Sequence, residues 1–369
     1  MRKLAAAEAP TKIIFSGEHG VIHGAPGIAM ALEPCNKVDL YEEPGTGKAS
    51  GKPGLVIESE RGRVFVSPEG AVEGTAGNKK TFEPFVAVVD YLRQTEGFFP
   101  KKRLVAKIVS AKAPKGVGNS ASIAAALALV LFASMGRRPQ MGETPEEDEL
   151  WMCAQAAEEK AHGGRPSGID AMAVCRGNTE LIRTVEGGKV QWNFILQPKL
   201  SLPAGTALLI VDTYSNGERA NTGEMVLKVA KSLGLTKTDF ETGREVVKPL
   251  AEFSHEDRHK IGAFGEVFEK IVSQLKARGN AKLLGEAMDE NHALLKKLGA
   301  SSPQIEKAVD VARKAGALGA KLTGAGGKGG AALVLVALSK KKQVESAITR
   351  AGFSIFEAQP AGHGARLVG

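Results

Sequence analysis

The sequence predicts a mixed fold of helices and strands, divided near residue 200 into two unlike parts. Three observations carry this. Short apolar runs punctuated by Gly and Pro fill much of the first 110 residues, as in a strand-rich region. From Glu218 to Ala315 apolar residues recur at helical spacing. Between them, the stretch around Pro198 and Pro203 reads as a boundary. With 369 residues, 43% of them apolar and 24% charged, the chain is long enough for two cores.

The elements follow in order. Residues 1–12 carry basic residues but only a very short apolar stretch, and read as a ragged start rather than a signal peptide. Residues 12–15 read as a strand, broken by Gly17-Glu18-His19-Gly20 and followed by strands at 27–32, 38–41, 55–58 and 63–66. Residues 82–92 are helical by spacing, 104–109 form an apolar strand, and 123–135 an alanine- and leucine-rich buried helix. Acidic residues at 146–149 suit a helix start, with the helix running to about 161. Ser167-Gly168-Ile169-Asp170 opens a short helix. Strands then follow at 179–183, 190–194 and 207–211. The helical region comes next, then a glycine loop, a strand at 331–337, a helix near 341–350 and two short closing strands.

The formal net charge is +8. Lys and Arg are spread along the chain, and aromatics make up only 5%, so few rings are available to stack bases. A basic surface that attracts anionic small substrates fits better than a nucleic-acid partner. Cys35, Cys153 and Cys175 are odd in number and far apart, which suits neither a disulfide framework nor a CxxC metal site and points to a reduced, cytoplasmic setting. The most apolar run, 121–135, is too short to span a bilayer, so no membrane partner is expected.

The most informative stretch is Lys112-Ala113-Pro114-Lys115-Gly116-Val117-Gly118-Asn119-Ser120-Ala121-Ser122, between an apolar strand and the buried helix. A small-residue loop opening into a helix presents free N–H groups and the positive end of the helix dipole, which suits a phosphate. It fits GxGxxA, but no Asp or Glu occurs between Glu96 and Glu143 to hold a ribose, which argues against a nicotinamide cofactor. No Walker A pattern is present. Ser120 at the helix mouth is a candidate Mg²⁺ ligand; the plainer reading is an N-cap without a ligand.

A second glycine loop, Lys321-Leu322-Thr323-Gly324-Ala325-Gly326-Gly327-Lys328-Gly329-Gly330, leads into a strand and so is no dinucleotide fingerprint. Glu158 or Glu159 near one helix end and Asp170 at the next helix start can converge, one on Mg²⁺ and the other on a hydroxyl. His19 and His23 are four apart, but Gly20, Val21, Ile22 and Gly24 disfavour the helix a metal pair would need. His255-Glu256-Asp257-Arg258-His259 matches HExxH. Its polar neighbours make an exposed helix start, capped by Ser254, the better reading than a zinc site.

Taken together and in order, Lys12…Gly17-Glu18-His19…Gly24, Pro114…Ser120-Ala121, His162-Gly163…Pro166-Ser167-Gly168-Ile169-Asp170 and Lys321…Gly327 resemble the GHMP kinase superfamily, and within it the mevalonate kinase branch. The resemblance implies an α+β fold with an N-terminal ribosomal-S5-domain-2-like half (1–200) and a C-terminal ferredoxin-like half (201–369). It also implies transfer of the γ-phosphoryl of ATP, with Mg²⁺, to the 5-hydroxyl of mevalonate, by an enzyme that is a candidate homodimer. By family position Asp170 is the catalytic carboxylate and Lys12 its cationic partner. Ser120 and Glu158 hold Mg²⁺. Lys112, Pro114, Gly116, Gly118, Asn119, Ser120, Ala121, Ser122, Gly324, Gly326 and Gly327 belong to the nucleotide side. Glu18, His19, Gly168, Thr222, Thr323 and Ala325 belong to the substrate side.

The chain departs from the family pattern in places. Asn119 replaces a serine, Gly164-Arg165 lengthens the loop after His162, Ala220 stands where an arginine is usual, and Lys328 where a glycine is. Counting back from His162 gives Glu158 as the metal ligand and counting back from Asp170 gives Glu159; continuity of the helix favours Glu158. Another GHMP kinase acting on phosphomevalonate, homoserine or a sugar is the nearest alternative, and a non-catalytic nucleotide-binding relative a further one.

Overall fold

The computed structural model describes residues 1–43, 52–114, 116–142, 144, 147–162, 166–186, 189–214, 222–276, 278–328 and 330–369. The first part of the chain supplies β1 (Arg2–Ser16), β2 (Gly27–Glu42), β3 (Gly54–Ser59), β4 (Gly62–Val66), β5 (Val72–Glu73), α1 (Ala76–Glu96), β6 (Arg103–Val109), α2 (Asn119–Ser134), α3 (Glu149–His162), α4 (Ile169–Arg176), β7 (Thr179–Glu186) and β8 (Lys189–Leu196). The second part supplies β9 (Thr206–Asp212), α5 (Thr222–Ser232), β10 (Thr236–Thr238), β11 (Glu245–Val247), α6 (His255–Lys260), α7 (Gly262–Gln274), α8 (Ala281–Lys297), α9 (Pro303–Lys314), β12 (Gly319–Thr323), β13 (Ala331–Ala337), α10 (Lys341–Arg350), β14 (Ser354–Pro360) and β15 (Arg366–Leu367).

β2 organises the sheet. It runs antiparallel to β1, from Arg2 opposite Glu42 to Ser16 opposite Ile28. It also pairs with β6 through 37–42, with β7 through 27–29, and with β14 at Leu32 and Glu33. Beyond β14 the sheet continues through β9 and β13 to β12; beyond β6 it continues through β3 and β4 to β5. β15 returns the C-terminus to β1, with Leu367 opposite Ala7. Hydrogen bonding therefore runs unbroken from the first part of the chain into the second.

Three readings of the sequence are corrected. The N-terminus is ordered from Arg2, not ragged up to residue 12. Its alanines have little intrinsic strand preference, so the strand rests on pairing with β2 on one side and β15 on the other. Residues 27–32 and 38–41 belong to one strand, interrupted where the register shifts between Ala9 and Thr11, opposite 33–35. Pro10, which has no N–H to offer a ladder, sits at that irregularity. The region read as helical from 218 also contains the β10–β11 hairpin.

α2 is apolar around its whole circumference, the mark of a helix buried on every side. Ala121 and every residue from 123 to 132 are buried. One core cluster joins α1, α2 and α3 to β2, β3, β4 and β6. A second joins β9, β12 and β13 to α5, α9 and α10. A third draws on both parts, setting Ile13, Phe15 and Met30 against Ile210, Phe268 and Leu333. That shared core holds the end of β1 rigidly against the second part of the chain, which matters for the site below.

Candidate active site

Lys12 stands near the end of β1 and Asp170 in the first turn of α4. Lys12 Nζ lies 2.7 Å from Asp170 Oδ2. Lys12 is only 2% exposed, and a buried ammonium needs such a partner. Its main-chain N–H donates to the Val117 carbonyl (2.8 Å), which ties β1 to the first glycine loop. The loop then crosses the Lys12 side chain at Gly118. A Cβ there would lie 2.6 Å from Lys12 Cε, and φ is +73°, so the position favours glycine twice over.

Gly118 is also the N-cap of α2, and no side chain caps that end. The first-turn N–H groups of Asn119, Ser120 and Ala121 are thus left without a side-chain cap, an arrangement that suits an anion. Ser120 Oγ donates to Glu158 Oε1 (2.5 Å), and Glu158 Oε2 accepts from His162 Nε2 (2.7 Å). Glu158 is buried, while Glu159 is exposed. One ligating atom each from Glu158, His162 and Asp170 lies within 4.8 Å of the others. Burial pushes the Glu158 carboxyl up, but the His162 charge, hydrogen bonds from His162 and Ser120, and Lys12 together hold it below its ordinary range. Burial pulls His162 down, and Glu158 more than offsets this, so His162 is raised.

The second glycine loop meets the first. A Cβ on Gly324 would lie 3.7 Å from the Gly116 carbonyl oxygen. Gly327 N–H donates to the Ala300 carbonyl (2.8 Å), and a Cβ on Gly326 would strike that same carbonyl. His19 Nε2–H donates to the Ala325 carbonyl (3.0 Å). His19 is buried at φ +60°, and burial pushes its pKa down to about 4, so its ring is neutral with Nδ1 as an acceptor. Gly168 packs where any Cβ would strike Trp192 and Trp151, and its carbonyl accepts from Trp151 Nε1 (3.1 Å).

Several residues read as ligand contacts are engaged elsewhere. The fully buried Glu18 carboxylate pairs through Oε1 with the fully buried Lys321, while its Oε2 has no hydrogen-bond partner. Thr323 Oγ1 donates to the Ile14 carbonyl (2.9 Å), tying β12 to β1. Ser122 is fully buried and donates to the Ala9 carbonyl (2.8 Å), and the Ala121 side chain lies in the core. Asn119, without a family counterpart, accepts from Asn36 Nδ2 (3.2 Å) and donates to the Pro114 carbonyl (3.4 Å), so it braces the loop. Asn36 Nδ2 also donates to Ser122 Oγ (2.9 Å), and no motif had marked it. Lys112 and Pro114 border a cavity of about 120 Å³ with Thr11, Leu32 and Phe356. Thr222 opens α5; residues 215–221, with Arg219 and Ala220, lie outside the described residues, as do Lys115, 163–165 and Gly329. His255 and His259 are exposed on α6, whose capping box from Ser254 and Asp257 is formed.

Two further residues lie at the turn that follows β1. Arg183, on β7, stacks over Trp192 (4.4 Å) and donates to the Val21 and Ile22 carbonyls (3.4 and 3.3 Å). Burial pushes its pKa down to about 10, and it has no carboxylate partner among the described residues. His23 is buried against Phe253, with burial holding its pKa at about 4. Among the described residues, Ser16 Oγ, His19 Nδ1, both His23 nitrogens, Asp170 Oδ1 and Arg183 Nε are buried without a hydrogen-bond partner. Buried polar atoms are nearly always paired, so these atoms are candidates to meet a ligand.

Residues 271–354 match the family described as GHMP kinases C terminal. The chain is 31% identical over 372 residues to the mevalonate kinase of Aeropyrum pernix, covering 100% of this chain and 99% of that protein. The chain belongs to the GHMP kinase family. As a GHMP kinase it is an ATP-dependent small-molecule kinase. Its fold is similar to that of L. major mevalonate kinase, solved in complex with R-mevalonate, with a TM-score of 0.67 and 22% identity over 98% of this chain and 97% of that one. It is similar also to Streptococcus pneumoniae phosphomevalonate kinase, solved with phosphomevalonate and AMPPNP, with a TM-score of 0.68 and 14% identity over 96% and 99%. Among the described residues, no helix is long and apolar enough to cross a membrane.

Proposed function

We propose that this GHMP kinase transfers the γ-phosphoryl group of ATP to the 5-hydroxyl of mevalonate. The observation that carries the reading is the Lys12–Asp170 pair, set beside an uncapped helix terminus and a turn of unpartnered buried polar atoms. The full-length likeness to a mevalonate kinase selects the acceptor.

In this reading Lys12 holds Asp170 Oδ2, which leaves Oδ1 to accept the proton of the attacking hydroxyl. His19 Nδ1 accepts a second hydrogen bond from the acceptor molecule. Arg183, a buried cation without a counter-charge among the described residues, pairs with its carboxylate. The N–H groups at the start of α2 hold phosphate oxygens. Phosphoryl transfer asks for such positioning and charge neutralisation more than for covalent help.

The donors near the helix terminus suit Mg²⁺. A serine hydroxyl and the Glu158 carboxylate are hard oxygen ligands set side by side at the helix mouth. Ser120 and Glu158 would hold the ion, and His162 would orient Glu158. The ion would supply charge neutralisation between phosphates. The halves 1–200 and 201–369 are proposed as nucleotide-binding and closing parts respectively.

The test supplies purified protein and Mg-ATP with mevalonate, phosphomevalonate, homoserine or galactose in turn, and measures ADP release. Mevalonate is expected to be the preferred acceptor. Turnover of another acceptor with mevalonate inert would overturn the assignment.

A further inference from the structure

At the junction of β1, β2 and the C-terminal tail, Glu8, Cys35 and His363 bring a carboxylate oxygen, a thiol sulfur and an imidazole nitrogen within 4.8 Å of one another. The kinase reaction as derived above uses none of them. The cluster lies beside the point where β2 departs from the β1 ladder at Pro10: Cys35 comes from the irregular stretch of β2, and Glu8 from the last regular pairs before it.

Each donor is held by a second partner. Glu8 Oε1 accepts from Arg366 Nη2 (2.7 Å) and Nε (2.9 Å), which fixes the carboxylate and leaves Oε2 only the longer contact with Lys37 (3.5 Å). His363 Nδ1 lies 2.8 Å from the Gly364 carbonyl, which can only accept, so Nδ1 carries a proton. In the neutral ring Nε2 then presents its lone pair, and it faces Glu33 Oε1 at 3.5 Å. Two electron-rich atoms placed this way call for a cation. The other Glu33 oxygen accepts from Cys35 N–H (3.1 Å), which brings that carboxylate beside the thiol. Ligands braced by carbonyls and cations in this manner are the usual surroundings of a protein-bound metal.

We propose that Glu8, Cys35 and His363, with Glu33 as a fourth donor, bind one thiophilic divalent cation of the zinc class. A thiolate with an imidazole selects zinc-like ions over calcium or magnesium, and four donors complete a tetrahedral set. Binding displaces the thiol proton to solvent. Arg366 and Lys37 offset the negative charge that three anionic ligands leave over a doubly charged ion. The ion would join the tail at His363 to the strand pair β1–β2. The simpler occupant is a proton on Nε2, giving an imidazolium paired with Glu33 and no metal.

The test loads the full-length protein with Co²⁺ as a spectroscopic stand-in for zinc. One tightly held Co²⁺ per chain is expected, with a near-ultraviolet thiolate-to-cobalt band that Zn²⁺ removes. Cys35→Ser should abolish the band, and His363→Gln should weaken Co²⁺ binding about 10–100-fold. The His255→Ala/His259→Ala double variant should leave the band unchanged, because those residues are exposed on α6. A melt in EDTA checks that each variant folds; if Cys35→Ser does not, His363→Gln carries the test. No thiolate band in the parent protein, or a band that survives Cys35→Ser, overturns the proposal in favour of the protonated pair.

Discussion

Asp170→Asn isolates the chemistry of the site from its shape. The side chain keeps its size, and an amide oxygen still accepts from Lys12 Nζ, now 2.7 Å from Asp170 Oδ2. Two things are lost. The first is the carboxylate that takes the hydroxyl proton, a role worth about 10²–10⁴ in rate, or about 2.7–5.4 kcal/mol of barrier. The second is the charge balancing a lysine that is 2% exposed. Stripping a buried charge of its partner costs about 3–5 kcal/mol. The Asp170 side chain is 16% exposed and the amide keeps one hydrogen bond, so about 1–3 kcal/mol is the better expectation here. ADP release coupled to NADH oxidation gives kcat, urea unfolding gives stability, and fluorescent-nucleotide titration gives ATP affinity. The expected result is a kcat lower by at least 100-fold with ATP affinity nearly unchanged. Adding Lys12→Met should recover part of the lost stability and none of the rate, because it removes the stranded charge. An Asp170→Asn enzyme that keeps more than about a tenth of kcat would refute the reasoning.

The remaining predictions probe the same site from other sides. Gly118→Ala forces a Cβ against Lys12 at a positive φ; it should cost about 1–2 kcal/mol for the left-handed backbone alone and lower kcat at least tenfold, read by the same assays. Arg183→Met should raise KM for mevalonate about 10–150-fold, as expected for one charged hydrogen bond, while kcat changes little; an unchanged KM would remove Arg183 from substrate recognition. His23 has a folded pKa of about 4 against an ordinary 6.5, so the unfolded chain takes up the proton first and stability falls as pH drops from 6.5 towards 4. His23→Phe should flatten urea-measured stability across that window by up to about 1.4 kcal/mol per pH unit, and an unaltered slope would count against a buried neutral His23.

The sequence carried the helix–strand order well because most elements have strong periodicity. α2 was legible from its apolar run, and α4 from Gly168 before Ile169-Asp170. β1 was half missed, since an alanine-rich segment has no strand signature of its own and is held by its neighbours. In the candidate site, Lys12, Ser120 and Asp170 each lie in a motif, whereas Glu158 was separated from Glu159 only by the continuity of the helix; burial of Glu158 against exposure of Glu159 is the structural difference between them. Arg183 was not legible, because a lone arginine on a strand carries no mark; what distinguishes it is burial beside Trp192 without an acid. Ser122 and Thr323 were placed among the ligand contacts by the family resemblance. Their hydroxyls are committed to the Ala9 and Ile14 carbonyls, and nothing local in sequence encodes partners so distant.

The pairing of Glu18 with Lys321 constrains how this chain can change over time. Both side chains are wholly enclosed, so replacing either one alone leaves a charge with neither water nor partner. Substitution in two separate steps would pass through an intermediate destabilised by about 3–5 kcal/mol, a large fraction of what a domain of this kind has in hand. The two positions are therefore expected to be inherited as a unit: lineages that lose one should have lost the other, and a library randomising both at once should recover apolar pairs that a one-position scan never reaches.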